Sequence, residues 1–407
     1  MRMQARVAVI GGGAAGIAAT HRLGQAGVDV LLVEAGDRLG GRAHTVVRGG
    51  MALDLGAGWL HSAERNPWVG LAGEHGFTVD RTLPRWREQW RDLGFSPEEQ
   101  RAAAGAYAAL ERRMRADPPA SDRAADAIEP GGRWTPYLDA LSGFINGAAT
   151  AEVSIADYLA YADAATETDW RVAEGYGALV AAHAAGLRTA LATPVTAIDR
   201  TSARLRIVTP RGDIAADAAI VTVSTNVLAG GAIDFGAGFD AVLHAAACLP
   251  LGFADKLFLA LEGGEEIPAN AHLLGNPRAS VTGTYTLRPF GRPLVEAMFG
   301  GEGALAMEAA GLDGAAAFAI DELCALLGND WRKRLRLVAG SAWGREDHIR
   351  GGYSHALPGH AEARAVLAAP VDERVHFAGE ACSATAFSTV HGAYESGIAA
   401  AKALLAD

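Results

Sequence analysis

The chain is poor in cysteine. Cys248, Cys324 and Cys382 stand far apart among 407 residues, with no CxxC pair. That argues against a disulfide framework and a zinc site, and it suits a reducing compartment. The thiols are expected to serve as small buried hydrophobes. No apolar run reaches the ~20 uninterrupted residues that a membrane helix needs. No signal-peptide pattern precedes the first strand and no anchoring tail follows the last helix, so a soluble, cytoplasmic protein without a membrane partner is expected. Positive charge is also short. There are 36 Lys and Arg against 47 Asp and Glu, a net charge of −11. This excess of acid disfavours nucleic-acid and anionic-membrane partners. Internal repeats, low-complexity tails, basic tails, metal-ligand spacings and nucleophile motifs are absent too. A non-enzymatic scaffold or chromatin-type module therefore gains no support, and no metal site is expected. Half of the residues are hydrophobic, enough for two or three domain-sized cores.

What is present begins at the start. Val7-Ala-Val-Ile leads into Gly11-Gly-Gly13-Ala-Ala15-Gly16, a helical run reaches Gly27, and Val30-Leu-Leu-Val ends on Glu34-Ala35. Strand, glycine turn, helix and acid-ended strand form a dinucleotide-binding βαβ unit. Gly11 permits the tight turn, Gly13 lets backbone approach a pyrophosphate, and Gly16 lets helix pack on strand. The helix N-terminus offers N–H groups and a positive dipole end. Glu34 can accept from ribose hydroxyls. A second glycine loop, Leu39-Gly40-Gly41-Arg42, adds close backbone and a fixed cation. At this level NAD and FAD are both possible.

Beyond residue 80 the character changes. Residues 81–170 are rich in Ala and Arg with helical spacing, broken by Asp117-Pro-Pro and Glu129-Pro-Gly-Gly. They read as a helical insertion. Strands are expected at Thr193–Ile198, Arg204–Thr209, Ala218–Val223, 254–261 and 282–298, a helix at 315–327, a strand at Val375–Ala378, and a final helix from about His391. Both ends thus look nucleotide-binding, which suits a long flavin cofactor lying between them. Lys256, in Gly252-Phe-Ala-Asp-Lys-Leu-Phe-Leu-Ala-Leu261, shares a strand face with Phe258 and Ala260. A lysine on an apolar face is costly unless paired or functional.

Glu34–Arg42, Gly56-Ala-Gly58-Trp59-Leu-His61, Asp255-Lys256, and Phe377-Ala-Gly379-Glu380 followed by Ser388-Thr389-Val390-His391-Gly-Ala-Tyr394 resemble the flavin-containing amine oxidases, most nearly the polyamine oxidase-like branch. The motifs span nearly the whole chain, and the 81–170 segment matches least.

The resemblance implies an α/β fold (α+β overall). A Rossmann-type FAD-binding domain would comprise 1–80, 175–235 and 345–407. A mixed-sheet and helical substrate domain would comprise 81–174 and 236–344. It implies that Gly11, Gly13, Ala15 and Gly16 hold the FAD pyrophosphate, Glu34 and Ala35 the adenosine ribose, and the Val195 backbone the adenine. Gly41, Arg42, Gly58, Trp59 and Gly379 would lie along the cofactor, Glu380 would bond the ribityl chain, and the Thr389–Val390 backbone would face the flavin C2 carbonyl. Lys256 would hold a water near flavin N5. Trp343 and Tyr353 would flank the ring, with His61 near the substrate amine. Where monoamine oxidases carry a flavin-linking cysteine this chain has Gly352, which implies non-covalent FAD. Where they carry a second aromatic it has Thr389, which tilts towards longer or bulkier amines.

The expected reaction is hydride transfer from an amine to flavin N5, giving an imine and then an aldehyde or ketone. Oxygen would be reduced to hydrogen peroxide. An L-amino-acid oxidase stays open, with Arg81, Arg85 or Arg87 as carboxylate fork. So does an amine dehydrogenase using another acceptor. The partners expected are a small amine and O2, in a monomer or homodimer.

Overall fold

The computed structural model describes residues 3–406. Its first layer is a five-stranded, all-parallel sheet in the order Val375–Phe377, Ala218–Val221, Val7–Ile10, Val30–Val33, Thr189–Ala190. Val7–Ile10, Val30–Val33 and Ala218–Val221 are buried throughout, as a sheet covered on both faces requires. The helices Ala14–Gln25 and Val390–Ala406 pack tightly together over one face. Their approach depends on glycine: a Cβ on Gly397 would lie 2.1 Å from the Ala15 carbonyl oxygen.

A second, five-stranded sheet is antiparallel, in the order Ala271–Leu274, Thr284–Leu287, Leu294–Gly300, Ala254–Leu261, Leu335–Gly340. The helix Glu302–Leu327 covers one of its faces, buried through Ala315, Ala316, Ala319 and Leu323, and breaks at Gly311 (φ 74°). The insertion forms three helices, Pro97–Ala116, Thr135–Asn146 and Ile155–Ala164. The first carries a full capping box between Ser96 and Glu99. Among the described residues no helix is long and apolar enough to cross a membrane.

Three differences from the sequence reading have local causes. The strand expected at Thr193–Ile198 spans only Ala197–Asp199. Thr193 N–H is taken by the Glu34 carbonyl instead, and Pro194 cannot donate to a ladder. The long 282–298 region is two strands joined through Arg288, at φ 52°, and Ala271–Leu274 is a further strand ahead of them. Finally, Phe239, Val242, Ala245 and Leu249 pack in the same core as Ile10, Val221 and Phe377 of the parallel sheet.

Candidate active site

A cavity of about 1560 Å³ runs between the two sheets. It starts at the glycine turn, passes Arg42 and Glu380, reaches Lys256, and ends among the insertion helices. Every residue singled out from the sequence for cofactor or catalysis lines it, except Gly16. Gly16 serves the packing role: a Cβ there would lie 1.9 Å from the Gly11 carbonyl oxygen.

At the first end, Gly11 has φ 108°, and a Cβ would strike Thr222 Oγ1 at 2.6 Å, so only glycine fits. The helix Ala14–Gln25 begins with no side-chain cap and no acid in its first turn. Its N-terminal N–H groups and positive end are left to the cavity. A Cβ on Gly13 would meet nothing within 4 Å, so backbone stands open there. Gly41 (φ 56°) stacks on it, with a hypothetical Cβ 3.2 Å from Gly13 Cα. The Glu34 carboxylate accepts Gly12 N–H at 2.6 Å and Gly36 N–H at 2.7 Å. It therefore fixes the turn as well as facing the cavity beside Ala35 and Val195. An uncapped helix start, two open glycine backbones and an adjacent carboxylate fit a dinucleotide diphosphate and its ribose.

In the middle, Arg42 Nη1 donates to the Gly352 carbonyl at 2.7 Å and to Glu380 Oε1 at 2.8 Å. Glu380 is buried and also accepts from Ser354 N and Oγ and from Ser388 N. Burial alone would raise its carboxyl, but Arg42, Arg364 and these donors hold it below the usual range. Arg42 and Glu380 are thus a mutual pair, which the sequence reading had not joined. Gly379 has φ 153°, which favours glycine, and a Cβ there would meet nothing within 4 Å. Thr389 Oγ1 accepts Gly392 N–H at 3.0 Å, capping the last helix. The preceding Ser388 sits at φ 62°, tied to Ser354 O at 2.7 Å.

At the far end, Lys256 projects beside Gly58, where a Cβ would lie 2.7 Å from Nζ. The expected strand face with Phe258 and Ala260 is present, but it is not otherwise apolar. Lys256 Nζ pairs with Glu296 Oε1 at 2.9 Å, the side chains 11% and 17% exposed. Glu296 comes from the neighbouring strand, opposite Phe258. Burial pushes its carboxyl up; Lys256, Arg171 and Arg292 outweigh this and hold it low. Asp54 is raised by burial, partly offset by Lys256 and by donors from Thr45, Tyr176 and Gly177. Trp343 is buried, its Nε1 donating to Leu55 O at 3.0 Å. Tyr353 donates to Phe144 O at 2.5 Å, so its hydroxyl is spent on the insertion, and burial raises its pKa.

Beneath Trp343 lies a feature the sequence did not reveal. Asp255 Oδ1 accepts from Trp343 N at 3.0 Å and Ser341 Oγ at 2.8 Å, while Glu308 accepts Gly344 N–H at 2.7 Å. Both acids are buried. Burial and then Glu308 push Asp255 up to about 7. A carboxyl raised in the folded state stabilises below its ordinary pKa and loses that contribution as pH climbs through about 7. The melting temperature should therefore fall as pH rises from about 4 to about 7 and level off above that. Asp255→Asn, which donates to Glu308 permanently, should flatten that fall. An equally steep fall in the variant, followed by differential scanning fluorimetry, would exclude the pair as its source.

His61 Nδ1 meets Asp169 Oδ1 at 2.8 Å. Trp86 packs edge-on to Trp59 at 4.7 Å and lies 6.3 Å from the His61 ring. Among the insertion helices, Tyr107 and Tyr158 hydroxyls meet at 2.5 Å and Tyr158 donates to Glu111 at 3.1 Å. Of the three arginines considered for a carboxylate, two are ion-paired and one is stacked. Arg85 and Arg87, 42% and 92% exposed, pair with Glu88 and Glu167, and Arg81 stacks on Trp170 at 4.7 Å.

A parallel sheet with an anion-ready glycine turn, joined through one cavity to an antiparallel sheet carrying a paired lysine, defines a flavin oxidoreductase. Residues 14–405 match the family model of the flavin containing amine oxidoreductases, and the chain belongs to that family. It is an FAD-dependent amine oxidase. It is 29% identical to polyamine oxidase 4 of Oryza sativa subsp. japonica, over 97% of this chain and 87% of that protein. In fold it is similar to putrescine oxidase bound to putrescine (TM-score 0.80, 19% identity, 100% of both chains). It is equally similar to cyclohexylamine oxidase from Brevibacterium oxydans IH-35A (TM-score 0.80, 20% identity, 98% of both).

Proposed function

We propose that the chain oxidises a primary or secondary amine bearing a second cationic end, a di- or polyamine, releasing an aldehyde or ketone through imine hydrolysis with O2 as acceptor. The observation that carries this is Glu111. It lines the cavity within the insertion, is held by a tyrosine hydroxyl, and has no ion-pair partner among the described residues. An amine anchored there by its distal ammonium would extend its reacting end towards Lys256. Arg85 and Arg87 already face acids and Arg81 does not line the cavity, which sets the L-amino-acid reading behind this one.

FAD, when bound, accepts the hydride of the amine α-carbon and passes the electrons on. The chain's residues do the rest. The glycine turn and helix start would hold the pyrophosphate, Glu34 the ribose and the Val195 backbone the adenine. Glu380 and the Thr389–Val390 helix start would hold the ribityl and ring end. At Gly352 a Cβ would already press on Ala254 at 3.1 Å and Gly252 O at 3.2 Å. A linking cysteine there would be crowded, consistent with non-covalent retention. Lys256, paired with Glu296, positions a water in the space that Gly58 leaves open. Trp343 and Trp59 exclude bulk water and shape the slot. His61, fixed by Asp169, accepts a hydrogen bond from the substrate amine so that it reacts neutral.

The test is anaerobic flavin bleaching with putrescine, spermidine, N-acetylspermidine, a monoamine of equal length and the L-amino acids. Diamines should bleach fastest. Glu111→Gln should raise the apparent Kd for diamines about tenfold, as expected for one charge-assisted hydrogen bond, and leave the monoamine unchanged. Equal losses for both would remove Glu111 from recognition. Reoxidation by O2 compared with a dye in stopped flow tests the acceptor.

A further inference from the structure

On the face away from the oxidase cavity, the helix Asp240–Ala247 carries His244, and Cys248 follows one turn later at its C-terminal end. Residues four apart share a helix face. Cys248 Sγ lies 3.6 Å from His244 Nε2. His360 joins them from the loop before the helix Ala363–Ala368, its ring 6.2 Å from that of His244 at 81°. One ligand atom from each of the three residues lies within 4.8 Å of the other two. Separations of 3.6 to 4.8 Å need only a small contraction to become the edges of a tetrahedron with Zn–N near 2.0–2.1 Å and Zn–S near 2.3 Å. We propose that His244, Cys248 and His360 form a binding site for Zn2+, held apart from the flavin chemistry.

The surroundings suit a divalent ion. The loop is already ordered for it: Leu357 N–H donates to Cys248 O at 3.0 Å, and His360 N–H to Leu357 O at 3.0 Å. His244 is exposed and Cys248 buried, so the ion has an open side for entry and a dry side for the sulfur. Burial and the nearby Glu362 carboxylate keep the Cys248 thiol protonated in the metal-free chain. On binding, the thiol proton passes to solvent and the thiolate takes the metal, while both imidazoles bind neutral. The thiolate and the nearby Glu362 charge offset the charge of the ion, and a water completes four-coordination. The sequence offered no CxxC or HxxxH to announce this. One ligand is 112 residues from its partners, and the helical His-x3-Cys spacing alone is common.

Such an ion would pin the outer end of a ribbon formed by segments 248–252 and 352–357. That ribbon pairs at Leu251 with Ser354, and its inner end carries Gly352 and Tyr353. The expected effect is thermal stabilisation rather than a change in turnover, because none of the three ligands lines the cavity.

Tag-free holoenzyme is dialysed against chelator and then against buffered micromolar Zn2+. Metal is counted by mass spectrometry, and the first shell is read by X-ray absorption. One equivalent per chain is expected, with one sulfur and two imidazole nitrogens, and a melting temperature several degrees higher. His360→Ala and, separately, Cys248→Ser should lose the equivalent and the thermal shift while turnover stays at the wild-type value. His360 is a loop residue, so its variant remains informative if Cys248→Ser fails to fold. Absence of bound zinc, a sulfur-free shell, or an equivalent that the variants retain overturns the proposal.

Discussion

Replacing Lys256 by Met should lower amine turnover about 10²–10³-fold, the usual cost of deleting one positioned donor in a water-excluded site, while the purified protein stays yellow. The structure separates these two outcomes spatially. Lys256 stands at the antiparallel-sheet wall of the cavity, far along it from the glycine turn, so cofactor retention does not depend on it. A second effect must be untangled. Lys256 is the closest partner of the part-buried Glu296, at 2.9 Å, whereas Arg171 is 3.9 Å away. Losing the lysine leaves a carboxylate short of charge and should cost about 3 kcal/mol of stability, at the low end for a broken buried pair. Lys256→Met/Glu296→Gln removes that burden. It should recover the melting temperature and leave turnover low. If the double variant recovers turnover as well, the lysine acts only through folding. Unchanged rates in both flavin half-reactions of the single variant would remove Lys256 from the chemistry.

The contrast between Lys256 and Glu296 shows what a sequence carries. Lys256 was legible because the chain holds only three lysines, 256, 333 and 402, and the other two are exposed. A scarce lysine within an alternating apolar strand stands out. Glu296 sits in Leu294-Val-Glu-Ala-Met-Phe, which alternates too, but 47 acids compete for notice. Only the antiparallel register, Phe258 opposite Glu296, brings it to the lysine. The same holds for Asp255 and Glu308, whose pairing needs a helix laid across a sheet. The glycine turn was readable because its chemistry is local: Gly11 and Gly16 answer contacts within the same βαβ unit or its adjoining strand, and Gly13 leaves backbone open to the cavity. The insertion was readable as helix and not as a site. Its polar cluster joins Tyr107, Glu111 and Tyr158 from two helices whose packing no spacing encodes. Residues 239–249, placed with the substrate region by sequence, pack with the parallel sheet because their apolar face meets Phe377.

Replacing Glu34 by Ala should weaken FAD binding about 30- to 100-fold and leave kcat near wild type once FAD is saturating. The reasoning starts from the two bonds the carboxylate already makes, to Gly12 N–H and Gly36 N–H. Alanine leaves both donors unpaired beside a half-buried turn, where each unmet group costs about 1 kcal/mol at this exposure. It also removes the acceptor offered to the ribose. The cofactor must then order a turn that the free variant leaves loose, and with the lost acceptor this costs about 2–3 kcal/mol of binding, where 1.4 kcal/mol is tenfold in affinity. The loss falls on binding because Glu34 and Lys256 lie at opposite ends of the cofactor trough. With no covalent link to hold the flavin, weaker binding shows directly as a paler protein. Glu34→Gln should bind nearly as weakly. Its amide can offer a carbonyl to one of the two N–H groups, but its NH2 then opposes the other. Absorbance at purification, followed by titration with FAD and turnover at each occupancy, separates the terms. A fully yellow Ala variant would show that the helix start and Arg42 hold the cofactor without Glu34, and a fall in kcat at full occupancy would place the carboxylate in the chemistry.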